Sequence, residues 1–193
     1  MASNLQYVQS KTETLYDIST DVVRLLRLSG ESLGVAESLT AGGVMAALTL
    51  VPGASAVFRG GVVSYATPLK KLLLNVDADL ISREGVIHAE VAQQMAEGAR
   101  SATTFDDIPT TWGIGTTGVA GPDSQDGKPV GTVYIGVASP EGTRAWGPFR
   151  FSGSRERVRE ATVVETLLRL RDAVAARYNE GAGERGYNDQ SGA

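Results

Sequence analysis

Apolar positions recur along this chain in two periods, one helical and one strand-like. From about residue 12 to 29, Leu15, Ile18, Val22 and Leu25 return at helical spacing, with Asp17, Asp21 and Arg24 between them, and Gly30 stops the run. Leu33 to Glu37 is short and mostly apolar, as a buried strand would be. Thr40 to Leu50 goes back to helical period, with Val44, Ala47, Leu48 and Val51 on one face and Pro52-Gly53 closing it. Val57 to Tyr65 reads as a strand around Val62-Val63, and Pro68 to Leu74 as a short helix with proline in its first turn. Ala89 to Arg100 is an amphipathic helix that turns Val91, Ala92, Met95, Ala96 and Ala99 inward. A strand over Thr111 to Thr116 leads into a polar loop, Gly118 to Pro129, rich in Gly, Pro and Asp. Gly131 to Ala138 and Thr143 to Phe151 form a hairpin turned at Pro140-Glu141-Gly142. Arg155 to about Tyr178 is the longest helix, with Val163, Leu167, Leu170 and Val174 in register.

This interleaving predicts an α/β fold, a three-layer sandwich with one central mixed sheet flanked by helices. The expected division is an N-terminal extension over 1–11, one domain over 12–178 and a flexible tail over 179–193. The tail carries Glu180, Glu184, Arg185 and Asp189 and has almost nothing to bury.

Composition narrows the chemistry. The 193 residues contain no cysteine and one histidine, His88. A thiol nucleophile and a thiolate zinc site are excluded, as is any metal site needing two histidines of this chain. A Ser-His-Asp arrangement would have to use His88 itself, which reads better as a helix cap. A hydrolytic base would then be a carboxylate, a lysine or a tyrosine. The 18 Lys and Arg against 22 Asp and Glu give a net charge of −4, a poor footprint for nucleic acid. No apolar run approaches a membrane span, and the first residues lack a signal-peptide layout, so the expected compartment is the cytoplasm.

Two motifs sit at strand ends. Gly113-Ile114-Gly115-Thr116-Thr117-Gly118 matches G-x-G-x-x-G, but Val119-Ala120-Gly121-Pro122 cannot open the helix that a dinucleotide fold requires. Glu37-Ser38-Leu39-Thr40-Ala41-Gly42-Gly43 joins a strand to a helix, and its small residues allow close approach to backbone N–H groups. A helix N-terminus there suits an oxyanion or a phosphate. Taken alone, the segment is also satisfied by Ser38 or Thr40 acting as an N-cap. Downstream, Tyr65 and Lys70 are groups that could activate a serine, or an edge-strand tyrosine and a solvated lysine.

Taken together and in order, several segments resemble the C-terminal domain of the CinA (competence/damage-inducible protein) family, over about residues 12 to 175. They are AESLTAGG at Ala36–Gly43, VPGASAVFRGGVVSYA at Val51–Ala66 and the K-x-x-L-L pattern at Lys70–Leu74. TTGVAGPD at Thr116–Asp123, KPVGTVYIG at Lys128–Gly136 and G-x-R-x-x-x-R at Gly153–Arg159 follow. That family includes bacterial nicotinamide-nucleotide amidases, which convert nicotinamide mononucleotide to nicotinate mononucleotide and ammonia. The resemblance implies Ser38 as nucleophile with Tyr65 and Lys70 as proton-transfer partners. It implies no cofactor and no metal, a small nucleotide substrate and a homo-oligomer, most simply a dimer. Thr40, Ala41, Gly42 and Gly43 would line the substrate site, with N–H groups near Ala41 to Gly43 holding the oxyanion. Thr117, Gly118 and Gly121 would shape the nucleotide pocket. Arg155 and Arg159, at i and i+4, would converge on the phosphate.

The chain departs from the family at Leu39, where cysteine is usual, and at Ala41, where glycine is usual and an added methyl could narrow the pocket. Ser124-Gln125-Asp126-Gly127 also replaces a Gly-Gly-Thr type run. Leu39 and Ala41 motivate one alternative, an amidase for a different pyridine-nucleotide amide; a second alternative, independent of them, is a catalytically silent nucleotide-binding or regulatory module.

Overall fold

The computed structural model describes residues 13–188. Its elements are α1 (Leu15–Ser29), β1 (Leu33–Glu37), α2 (Gly43–Thr49), β2 (Phe58–Val63), α3 (Thr67–Leu74) and α4 (Ala78–Glu84). Then come α5 (Ala89–Ala102), β3 (Trp112–Gly118), β4 (Thr132–Ser139), β5 (Gly142–Arg150) and α6 (Arg155–Asn188). The fold is an α/β three-layer sandwich. Among the described residues the sheet runs β2-β1-β3-β4-β5, with β1 parallel to both neighbours and β3, β4 and β5 antiparallel in turn.

Alternation along β1 sends its side chains to two cores. Leu33 and Val35 join Val22 and Leu26 of α1, Val44 and Leu48 of α2, and Leu167 and Leu170 of α6. Ala36 faces the other layer, with Leu74, Leu80, Val91 and Met95. Burial on both faces explains why this strand reads as a continuous apolar run. The glycines of the G-x-G-x-x-G motif belong to this packing. A Cβ on Gly113 would lie 2.0 Å from the Ala96 carbonyl oxygen of α5, and one on Gly115 2.3 Å from that of Ala92. The motif therefore lies wholly within β3 and brings a helix close to the sheet, with no helix opening behind it.

Element boundaries differ from the sequence reading where local chemistry decides them. α1 starts one residue after Thr14, which makes a capping box with Asp17. α2 starts at Gly43, because residues 38–42 form turns rather than a first helical turn. α4 is an additional short helix, capped by Asp77 and ended at Gly85. α6 continues through Asn188, so the segment expected as a tail from Asn179 is helical as far as it is described. Helix propagation needs only one further hydrogen bond per residue once the packed part has formed. The expected extension over 1–11 and residues 189–193 lie outside the described residues. None of the described helices is long and apolar enough to cross a membrane.

The topology fixes where a ligand would bind. From β1 the chain goes to β2 on one side, and the following crossover brings β3 to the other side. The carboxyl end of β1 is thus the point where strand order diverges, the place at which open α/β sheets bind ligands.

Candidate active site

Ser38 is the first residue beyond β1, at that point of divergence. The turn that carries it is held from three sides. Its N–H donates to Thr116 Oγ1 on β3 at 3.3 Å, and Thr116 Oγ1 lies 2.9 Å from Thr40 Oγ1. Arg159 of α6 donates to the carbonyls of Leu39 and Thr40 at 3.0 and 2.9 Å. Fully buried Glu37 reaches over the turn to the start of α2. Its carboxylate accepts from the N–H groups of Gly42, Val44 and Met45 at 2.9, 3.2 and 2.9 Å. These are orphan donors of the helix N-terminus. The cap is therefore a carboxylate from the preceding strand, not Ser38 or Thr40.

Lys70, on α3, points its ammonium into the same place. Nζ is 2.9 Å from Ser38 Oγ and 2.7 Å from the Ser64 carbonyl oxygen. The residue is 1% exposed, and among the described residues no carboxylate forms an ion pair with it. Burial without a compensating charge disfavours the protonated form and pushes its pKa from 10.5 down to about 8. At pH 7 about a tenth of such molecules hold the amine neutral, against fewer than about one in a thousand for an ordinary lysine.

A cavity of about 120 Å³ opens on this pair, lined by Ser38, Leu39, Tyr65, Lys70, Val86, Ile87, the Gly118–Gly121 segment, Asp123 and Arg155. The N–H groups of Leu39, Ala120 and Gly121 donate to no acceptor among the described residues. Arg155 donates to the Gly121 carbonyl at 2.6 Å and to the Tyr65 hydroxyl at 2.5 Å.

Of the residues expected in the site, Ser38, Lys70, Tyr65, Gly118, Gly121 and Arg155 are brought together. One of these has an unexpected partner, and the remaining expected residues lie elsewhere. Tyr65 is 54% exposed and bonded to Arg155, whereas the Lys70 amine is bonded to Ser38 Oγ and the Ser64 carbonyl. The N–H groups of Ala41, Gly42 and Gly43 are taken up by the Ser38 carbonyl, Glu37 and the Thr40 carbonyl. None of the three lines the cavity, so the oxyanion role expected of them has no free donor. Thr40 is buried against Thr116, and Thr117 donates to the Val86 carbonyl at 2.6 Å. Arg159 diverges from Arg155 to clamp the Ser38 turn. Sequence reasoning passed over Glu37 and Thr116, although both lie within the quoted motifs, because their roles depend on contacts across the turn. His88 caps α5, with Nδ1 accepting from the Glu90 N–H at 3.3 Å.

Ala41 takes a left-handed backbone, φ +50°, on the exposed side of the turn. Its methyl thus strains the backbone and does not narrow the cavity. Ala41→Gly is expected to raise unfolding stability by up to about 1 kcal/mol, partly offset by glycine's freedom in the unfolded chain. Chemical denaturation of the two proteins checks this. Leu39, by contrast, is buried with Ala120, Val133, Ile135 and Val158, and fills core volume that a cysteine would leave open.

A larger cleft, about 670 Å³, lies between β5 and the C-terminal half of α6, beside Trp112 and Trp146. Its arginines are engaged: Arg177 with Glu31 and Glu141, Arg169 with Glu165, and Arg144 over the Trp146 ring. It holds no serine–lysine pair and sits at the opposite end of β3 from Ser38.

Fold and geometry together define a doubly wound α/β domain with a serine–lysine pair at its topological switch point. The sequence profile of the CinA C-terminal domain matches residues 15–174, and the chain belongs to that family. A CinA-like protein of Frankia casuarinae is 46% identical over 158 residues, covering 82% of this chain and 35% of that protein. One from Parasynechococcus marenigrum is 44% identical over 162 residues, covering 82% and 37%. The chain thus spans about a third of the length of these relatives. The crystal structure of a CinA superfamily protein from Klebsiella pneumoniae superposes with a TM-score of 0.79 at 27% identity, covering 85% of this chain and 99% of that one. One from Enterobacter cloacae gives 0.80 at 25%, covering 90% and 99%.

Proposed function

We propose that this domain hydrolyses the carboxamide of nicotinamide mononucleotide, releasing nicotinate mononucleotide and ammonia, with Ser38 as nucleophile and Lys70 as base. The observation that carries the reaction class is the buried, carboxylate-free Lys70 amine 2.9 Å from Ser38 Oγ. The choice of substrate rests on family membership.

Neutral Lys70 donates one N–H to the Ser64 carbonyl, which turns its lone pair toward the Ser38 hydroxyl. Ser38 Oγ attacks the amide carbon as its proton passes to Nζ. The oxyanion takes N–H donors from Leu39, Ala120 and Gly121, since the α2 terminus is closed by Glu37. Lys70 then returns the proton to the departing nitrogen, and ammonia leaves. Water, deprotonated by the same amine, cleaves the acyl-serine and restores the Ser38 hydroxyl. Arg155 is the cation at the mouth available for the substrate phosphate.

The test is ammonia release from nicotinamide mononucleotide by the purified protein at pH 8 to 9. Turnover supports the proposal. Calorimetric binding with no ammonia points to the silent nucleotide-binding module. The second reading, an amidase for another pyridine-nucleotide amide, draws on Leu39, which lines the cavity where relatives in the family commonly carry a smaller cysteine. Ammonia from such an amide alone establishes it.

A further inference from the structure

The Arg155 contacts take no part in proton transfer at Ser38, yet they cross the entrance to it. One guanidinium joins three separate segments: the start of α6, Gly121 in the loop after β3 and Tyr65 after β2. All three residues line the cavity that contains Ser38. That cavity, about 120 Å³, is well below the ~300–1,000 Å³ of pockets that enclose drug-sized ligands. A whole nucleotide does not fit in that volume, and its sugar and phosphate require a wider mouth.

The bonds that close the mouth are replaceable. Both acceptors, a phenol and a peptide carbonyl, are neutral. Among the described residues no carboxylate forms an ion pair with Arg155, although Asp123 lines the same cavity and Glu156 is its chain neighbour. Arg155 is also the first residue of α6, where the helix dipole opposes a cation. A phosphate would exchange two neutral acceptors for anionic oxygens, adding ion-pair attraction and bidentate geometry to the guanidinium's hydrogen bonds.

We propose that Arg155, bound to Tyr65 and Gly121, is a latch over the Ser38 cavity that the substrate's phosphate opens by taking over the guanidinium. Tyr65 and Arg155 are then specificity-determining residues, admitting phosphorylated amides and holding out phosphate-free ones. The inference rests on the nucleotide-amide reading for its substrate, but its mechanical part is tested without that substrate.

The probe is phenylmethanesulfonyl fluoride, an uncharged serine reagent, with Ser38 labelling of the full chain followed by mass spectrometry and Ser38→Ala as the blank. Wild-type labelling is expected to be slow and to accelerate about tenfold in millimolar inorganic phosphate, a tenfold change being about 1.4 kcal/mol in the closed–open equilibrium. Tyr65→Phe and Arg155→Ala, both at exposed positions, are expected to label rapidly without phosphate and to ignore it. Variants that label no faster than wild type overturn the latch, as does phosphate that leaves the wild-type rate unchanged or slows it. Nicotinamide mononucleotide hydrolysis is measured in parallel. Phosphate-accelerated labelling without hydrolysis keeps the latch and removes the substrate reading; hydrolysis with phosphate-insensitive labelling does the reverse.

Discussion

Ser38→Ala is expected to reduce ammonia release from nicotinamide mononucleotide by a factor on the order of 10⁴ to 10⁶, the scale lost when a serine nucleophile is removed from a hydrolase. The fold should survive, because the features that hold the turn do not use the hydroxyl. The Ser38 N–H bond to Thr116, the Arg159 clamp and the Glu37 cap all remain. Lys70 keeps the Ser64 carbonyl as acceptor. Circular dichroism and calorimetric nucleotide binding should therefore match wild type while turnover disappears. Residual turnover above about one part in a hundred would mean that another group attacks the amide, since the oxyanion donors and binding alone leave far less.

The sequence shows the scaffold of this site more fully than its wiring. Every element that lines the cavity is predicted, β1, β3 and α6 from the apolar residues they bury and α3 from Pro68 in its first turn. α4 escaped that reading: seven residues are too few to display a helical period, although Asp77 and Gly85 mark its ends. Ser38 and Lys70 were legible through motif order, and their contact joins residues 32 positions apart. Tyr65 and Arg155 are 90 positions apart, and nothing in either local pattern says that one donates to the other. Arg155 and Arg159 show the limit of spacing arguments. At i and i+4 they share a helix face, yet one reaches the cavity mouth and the other the carbonyls behind Ser38, because the acceptors lie at different depths. The α2 terminus misled for a related reason. Its free N–H groups suggested an anion site, and the protein supplies the anion itself from Glu37.

Lys70→Met should remove activity by about 10³-fold or more and change two pH dependences at once. A general base normally contributes about 10²–10⁴-fold, and Lys70 serves every proton transfer in the proposed cycle. In wild type, kcat/KM should rise about tenfold per pH unit up to about 8 and level off above it, because the amine must be neutral to accept the Ser38 proton. The variant's residual rate should lack that rise. Stability gives an independent reading. Below pH 8 both folded and unfolded chains carry the proton, and the folded state bears a desolvated charge. Between about 8 and 10.5 the unfolded chain still holds a proton that the folded chain has released, so wild-type stability rises with pH across that window. The slope approaches ~1.4 kcal/mol per unit, about 3 kcal/mol in total. It is fully gained above the unfolded value and lost as pH falls through the folded one. Methionine fills the same unbranched volume with no charge. It also leaves the Ser64 carbonyl without its donor, a cost that does not vary with pH. Urea unfolding at pH 7, 8, 9 and 10 should thus give wild-type and variant curves that diverge with this slope. Parallel curves would show that Lys70 carries an ordinary proton in the folded protein, and the amine would lose its standing as the base.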